Sequence, residues 1–215
     1  MKYVILMGFP SHQESRRKIV EAAKLCLRRY GPDKLAVTDV ARSLGMSHAN
    51  VYRFFKSKSS LLDAIIDEWL TWLENFIDEI AARPLPAAQR LELVVLELHR
   101  KRKQKFLEDA EIFEVFKRVA ELRPEVLAKR REKITRVFER LLADGIQSGE
   151  FKAHKPKDVA IALKDATSLF LHPFLIPTNV GDDTELRAKN VVRYLLAGFR
   201  NQPHRPASAK RATRR

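Results

Sequence analysis

A single cysteine, Cys26, in 215 residues permits no intrachain disulfide and no cysteine-based metal cage, which suits a reducing, cytoplasmic setting. Six histidines, at positions 12, 48, 99, 154, 172 and 204, form no local cluster and supply no metal-ligand spacing. There is neither a glycine-rich phosphate loop nor a Gly-x-Ser-x-Gly elbow. The chain therefore reads as a non-enzyme, with no catalytic residue, metal or cofactor to name. No apolar run approaches the ~18 residues of a membrane helix, so no membrane partner is expected. Residues 3–10, behind a lysine, imitate a signal peptide, but no small-residue cleavage site follows, and residues 1–12 read as a disordered leader. Seven glycines, and no alternating runs of Val, Ile and Thr, point to an all-α fold.

Positive charge is what the chain has in excess, with 41 Lys plus Arg against 27 Asp plus Glu, a formal +14. The surplus is unevenly placed. Residues 1–60 carry +8, residues 61–200 only +1, and residues 201–215 +5. A nearly neutral body between basic ends suggests a polyanion as partner of one part of the molecule. The tail over 202–215, rich in Pro, Ala, Ser, Lys and Arg, cannot bury enough surface to order itself.

Hydrophobic periodicity predicts about nine helices. Ile19, Ala23, Cys26, Leu27 and Tyr30 form one stripe of a helix over 13–30 that stops at Gly31 and Pro32. Thr38 is placed to cap a short helix whose Val40, Ala41 and Leu44 face inward, with Gly45 ending it. Ser47 caps a third over 48–54, and Ser57 opens a fourth that runs to about Ala81. Longer helices follow over 86–106, 108–121, 124–148, 157–171 and 183–200, with Pro124 and Pro156 in first turns and Gly149 just past an end. Val159 to Leu163 with Leu169 to Leu171 is apolar on nearly all sides, and Val192, Leu195, Leu196 and Phe199 make an i, i+3, i+4, i+7 seam. Both need cover from a core or a second subunit.

Residues 36–55 satisfy the arithmetic of a helix-turn-helix. Ala41 is small enough for two helices to cross closely, Gly45 turns the chain, and Val51 and Phe55 close the miniature core. His48, Ala49, Asn50 and Arg53 are left on the outer side, where a second helix can enter a major groove. Downstream come Tyr52, then Lys56, Ser57 and Lys58, then Leu61 and Leu62 at the start of a long helix. Over about residues 13–73 the sequence resembles the TetR family of bacterial transcriptional regulators.

That resemblance implies a DNA-binding domain over 13–73, an effector-binding and dimerisation domain over 74–201, and a homodimer formed through the last two helices. It also implies roles. Thr38 and Tyr52 are similar to hydroxyl contacts to phosphate, and Lys58 with the start of the fourth helix to a phosphate clamp. His48, Ala49, Asn50 and Arg53 sit where base edges are read, flanked by Ser47 and Lys56. Ser60 stands where many members have Glu, which predicts an incomplete capping box at Ser57. The expected partner is a palindromic operator in double-stranded DNA, bound by a repressor that a small molecule releases. Trp72, Phe76, Phe113, Phe116 and His172 are the candidate lining of an effector pocket, which favours an apolar or amphipathic effector.

The basic run from His99 to Lys105 reads as the solvated end of an apolar helix, and Cys26 as a small buried hydrophobe. Two readings compete: a basic helical protein that binds nucleic acid without a defined site, and a small-molecule enzyme built on the helical body. Neither accounts for a helix-turn-helix followed by Tyr52 and Lys58.

Overall fold

The computed structural model describes residues 11–152 and 155–200, which form ten helices and one isolated bridge, Phe151 to Arg200. Of the leader expected over 1–12, residues 1–10 lie outside the described residues, as does the whole 202–215 tail. Helix α1 (His12–Lys34) begins one residue early because the Ser11 hydroxyl accepts the Glu14 N–H at 3.1 Å. Gly31, at φ 75, breaks its ladder where the expected helix stops, and Pro32 opens one further turn. Tyr30 leaves the buried stripe and lies under the Arg29 guanidinium, half exposed.

Thr38 does not cap α2 (Val37–Ser43). The cap is Ala36, extended and without a side-chain bond, and Thr38 sits exposed inside the first turn. Leu35 and Val37 are both buried, and seating Val37 in the core draws the helix start upstream of the hydroxyl. Ser47 does cap α3 (His48–Phe54), accepting the Asn50 N–H at 3.2 Å. At the start of α4 (Lys58–Ala81) the expected incomplete box is complete. Ser57 Oγ accepts the Ser60 N–H at 3.1 Å, while Ser60 Oγ accepts the Ser57 N–H at 3.0 Å. A second serine hydroxyl is close enough to do what the longer Glu does elsewhere.

The body comprises α5 (Ala87–Glu108), α6 (Ala110–Leu122), α7 (Pro124–Gln147), α8 (Pro156–Ala166), α9 (Ser168–Leu171) and α10 (Thr184–Phe199). The helix expected over 157–171 is two helices, broken at the fully buried Thr167, whose hydroxyl donates to the Leu163 carbonyl at 2.7 Å. That bond offers the backbone an alternative to the continuing ladder. Pro86 brings no capping side chain to α5, so Glu150 supplies one from beyond α7, accepting the Ala87 and Ala88 N–H groups at 2.7 and 3.1 Å.

Apolar burial divides into two clusters. One joins α1, α2, α3 and the first half of α4 to α6 through Phe113 and Phe116; the other joins the rest of α4 to α5, α7, α8, α9 and α10. The division within α4 falls between Leu70 and Leu73, beside the domain boundary expected at 73, and Trp69 packs against both clusters. Ion pairs reinforce the junction. Arg28 of α1 holds Asp109, between α5 and α6, through two bonds of 2.9 and 2.8 Å, and Arg123 holds Asp63. Among the described residues no helix is long and apolar enough to cross a membrane.

The basic run of α5 is not a solvated end. His99 is 1% exposed and Arg102 8%, both turned onto the end of α9, where His99 Nδ1 meets the Phe170 carbonyl at 3.0 Å and Arg102 donates to the Leu171 carbonyl. Arg100 reaches Glu97 and Glu185, while Lys105 reaches Asp109 at 3.2 Å. The short α9 offers its last carbonyls to α5, where the His99 imidazole and the Arg102 guanidinium meet them.

Candidate nucleic-acid interface

The head is built on the buried contacts of α2 and α3. Val40, Ala41, Val51 and Phe55 are buried, which brings the two helices together across the turn at Gly45. Gly45 has φ 63, a left-handed conformation that other residues adopt at a cost, and the Met46 N–H returns to the Ala41 carbonyl at 2.9 Å. With Val51 and Phe55 facing inward, α3 turns His48, Ala49, Tyr52 and Arg53 to solvent, while Asn50 is half buried. The four lie on one side of a short helix whose N-terminus Ser47 caps.

Tyr52 is neither buried nor isolated. The His48 ring meets it edge-on at 5.4 Å, so two residues expected to touch DNA restrict each other's rotamers. Lys56 is exposed. Lys58, in the first turn of α4, donates to the Asp33 carbonyl at 2.9 Å, which fastens the end of α1 beside the α4 N-terminus. No acidic residue stands in that first turn, so its N–H groups meet no opposing carboxylate from their own helix. The Asp33 carboxylate takes the Arg118 guanidinium of α6 at 2.7 and 3.1 Å, and that bond holds it below the usual carboxylate range. Asp33 of α1 thus joins the start of α4, through Lys58, to α6, through Arg118, and Thr38 is exposed on the neighbouring α2.

Charge alone misjudges one residue of the basic start. The Arg16 guanidinium lies over the Phe55 ring at 4.9 Å, and the His12 ring lies 4.7 Å from Phe54, so part of α1 braces α3. Sequence spacing misses this, because both contacts join positions about 40 residues apart; only the shared aromatic pair Phe54 and Phe55 signals them.

The five residues expected to line one effector pocket are not brought together. Phe113 and Phe116 are shut inside the head cluster, Phe116 meeting Trp69 edge-on at 5.1 Å. Trp72 and Phe76 stack on the outer face of α4, and His172 stacks on Phe174 after α9. Burial, with the charges of Arg131 and Arg102 behind it, holds the His172 imidazole below its ordinary range. The two helices expected to pair subunits carry exposed apolar side chains, Ile161 on α8 and Leu186 and Tyr194 on α10, with Leu169 between them on α9.

Comparison with known proteins agrees with this architecture. Residues 19–65 match the family described as "Bacterial regulatory proteins, tetR family", and residues 87–192 match "Tetracyclin repressor-like, C-terminal domain"; between them they cover more than half of the chain. No protein of curated function matches. Among solved structures, a TetR transcription regulator from Haloarcula marismortui is similar at 18% identity and TM-score 0.70, over 88% of this chain and 100% of that one. SmeT, the repressor of the Stenotrophomonas maltophilia multidrug efflux pump SmeDEF, is similar at 17% and 0.64, over 87% and 91%. FadR from Bacillus subtilis, solved with stearoyl-CoA, is similar at 19% and 0.62, over 85% and 98%. With a helix-turn-helix head, a helical body and both halves matched, the chain belongs to the TetR family of bacterial transcriptional regulators.

Proposed function

We propose that the protein is a homodimeric repressor, acting in the cytoplasm, that binds a palindromic operator and is released by a small apolar or amphipathic molecule. The observation that carries the DNA-binding part is the exposed side of α3, where His48, Ala49, Tyr52 and Arg53 stand near the N-terminus of α4, which has no acidic residue in its first turn. Asn50 and Ala49 read bases; Thr38, Ser47, Tyr52, Lys56 and Lys58 hold phosphates. Exposed Ile161, Leu169, Leu186 and Tyr194 support pairing through α8 and α10, which sets two heads roughly 34–36 Å apart, one turn of DNA. SmeT is a repressor and FadR was solved with stearoyl-CoA, so both activities occur on this fold.

Genome-wide mapping of bound sites, followed by anisotropy titrations on the recovered operator, tests the reading. Tyr52→Phe and Lys58→Ala should weaken binding to every sequence, whereas Asn50→Ala should also relax base preference by about 1–3 kcal/mol at one position per half-site. Asn50→Ala that leaves every operator position unchanged removes it from base readout. Binding that shows no preferred site once salt suppresses the nonspecific component favours the architectural alternative instead.

A further inference from the structure

Both tryptophans of the chain border an open cleft of about 540 Å³ between α1, α4 and α5. Trp72 is 48% exposed and lies parallel to Phe76, 5.5 Å between centroids with 4° between the planes. Nearly half of the indole meets solvent. Such exposure is uneconomical for a core aromatic and suits a stacking platform.

The charges around the cleft do not balance. Arg28, Lys101 and Lys105 face Glu108 and Asp109. Asp109 is saturated by two bonds from Arg28 and one from Lys105, and Glu108 accepts the Gln104 amide at 2.9 Å. Lys101 is left with no described carboxylate. Its Nζ lies 6.0 Å from the Trp72 centroid and 5.7 Å from that of Phe76, with Gln104 Oε1 at 3.4 Å. An ammonium beside an open aromatic face selects a ligand with a flat ring and one negative charge: a neutral ring leaves Lys101 unpaired, and an aliphatic acid leaves the platform bare. The cleft has the volume of ordinary small-molecule sites, enough for a one- or two-ring acid.

We infer that this cleft is a binding site for an aromatic carboxylate, its ring on Trp72 and its carboxylate on Lys101. The Arg28–Asp109 pair that joins head to body lines the same cleft, and Lys105 stands one helical turn from Lys101, so an incoming carboxylate competes with Asp109 for Arg28 and Lys105. Ligand binding is thereby coupled to the setting of the head. This consequence rests on the repressor reading; the binding itself does not.

Calorimetric titration of the full chain with 2-naphthoate and with its neutral analogue 2-naphthamide tests the site. The acid should bind at least tenfold more tightly than the amide. Lys101→Met should abolish that difference by weakening the acid far more than the amide, and Trp72→Leu should remove binding of both. Equal affinities for acid and amide, an unchanged acid affinity in Lys101→Met, or no heat at millimolar acid each overturn the proposal; if Trp72→Leu does not fold, the half-buried Lys101→Met decides alone. Naphthoate should also release mapped DNA from the parent chain but not from Lys101→Met. Binding without release overturns the coupling and keeps the site, while a protein that never selects an operator overturns the repressor reading and keeps the site too.

Discussion

Ser57 and Ser60 satisfy each other's backbone N–H groups with two hydroxyls, so the start of α4 depends on side chains that solvent does not replace equally well. Ser57→Ala should lower stability by about 1 kcal/mol, and Ser60→Glu should preserve it; melting temperatures of the two variants separate the cases, with a shift of roughly 2–4 °C for the first. Gly45 has no atom within 4 Å of where a Cβ would stand, so Gly45→Ala costs backbone strain alone, about 1–2 kcal/mol. Lys58 spends one of its three ammonium hydrogens on the Asp33 carbonyl, which orders the side chain before any phosphate arrives and leaves two donors for the contact proposed for it. His99 carries a pH signature. Burial holds its imidazole below the ordinary 6.5 despite the bond to the Phe170 carbonyl, so the unfolded chain takes a proton that the folded one refuses. Stability is therefore fully present above pH 6.5 and lost as pH falls from there toward the lowered folded value. Thermal melts from pH 7.5 to 5.5 should show this fall, and His99→Leu should reduce it, leaving the part due to His172, which burial also lowers.

Element starts and stops were legible in the sequence wherever the chemistry is local. Ser47, Gly31, Gly45 and Gly149 act where their spacing places them, because a cap or a left-handed turn needs only its own neighbours. Thr38 failed as a cap because burial of Val37 outweighs one hydroxyl, and the break at Thr167 stayed hidden because no glycine or proline marks it and apolar residues resume at Leu169. The exposed residues of α3 were legible from the inward pair Val51 and Phe55. A shared pocket for the five residues expected to line one was not, because composition cannot tell an aromatic shut in a core, such as Phe113, from one on a cleft wall, such as Trp72. Two contacts between elements lead to predictions. A Cβ at Gly145 in the last turn of α7 would overlap the Phe151 ring and lie 2.9 Å from Ala87 Cβ, so Gly145→Ala should cost about 1–3 kcal/mol by overpacking, read from denaturant midpoints. Asp109→Asn keeps its shape but loses the charge that meets Arg28 and Lys105. It should cost about 2 kcal/mol and loosen the seam between α1 and α6, measurable as faster amide exchange there.

At the scale of the whole molecule, the uneven charge and the uneven apolar surface assign different tasks to the two ends. The proposed dimer can be tested through that surface: Leu169→Glu with Tyr194→Lys should yield a monomer in sedimentation that keeps its helical content and binds operator at least 100-fold more weakly, since one head alone reads half a palindrome. The sharing of Trp69 between the two apolar clusters, and the place of α6 in the core of the head, have a thermodynamic consequence. Phe113 and Phe116 come from beyond residue 100, yet they complete the core of the first 70 residues. An excised head therefore lacks part of its own interior. In the intact chain neither cluster can melt without stripping cover from the other, so calorimetry should record one cooperative transition with equal calorimetric and van't Hoff enthalpies, and a fragment ending at residue 73 should unfold at far lower denaturant than the parent.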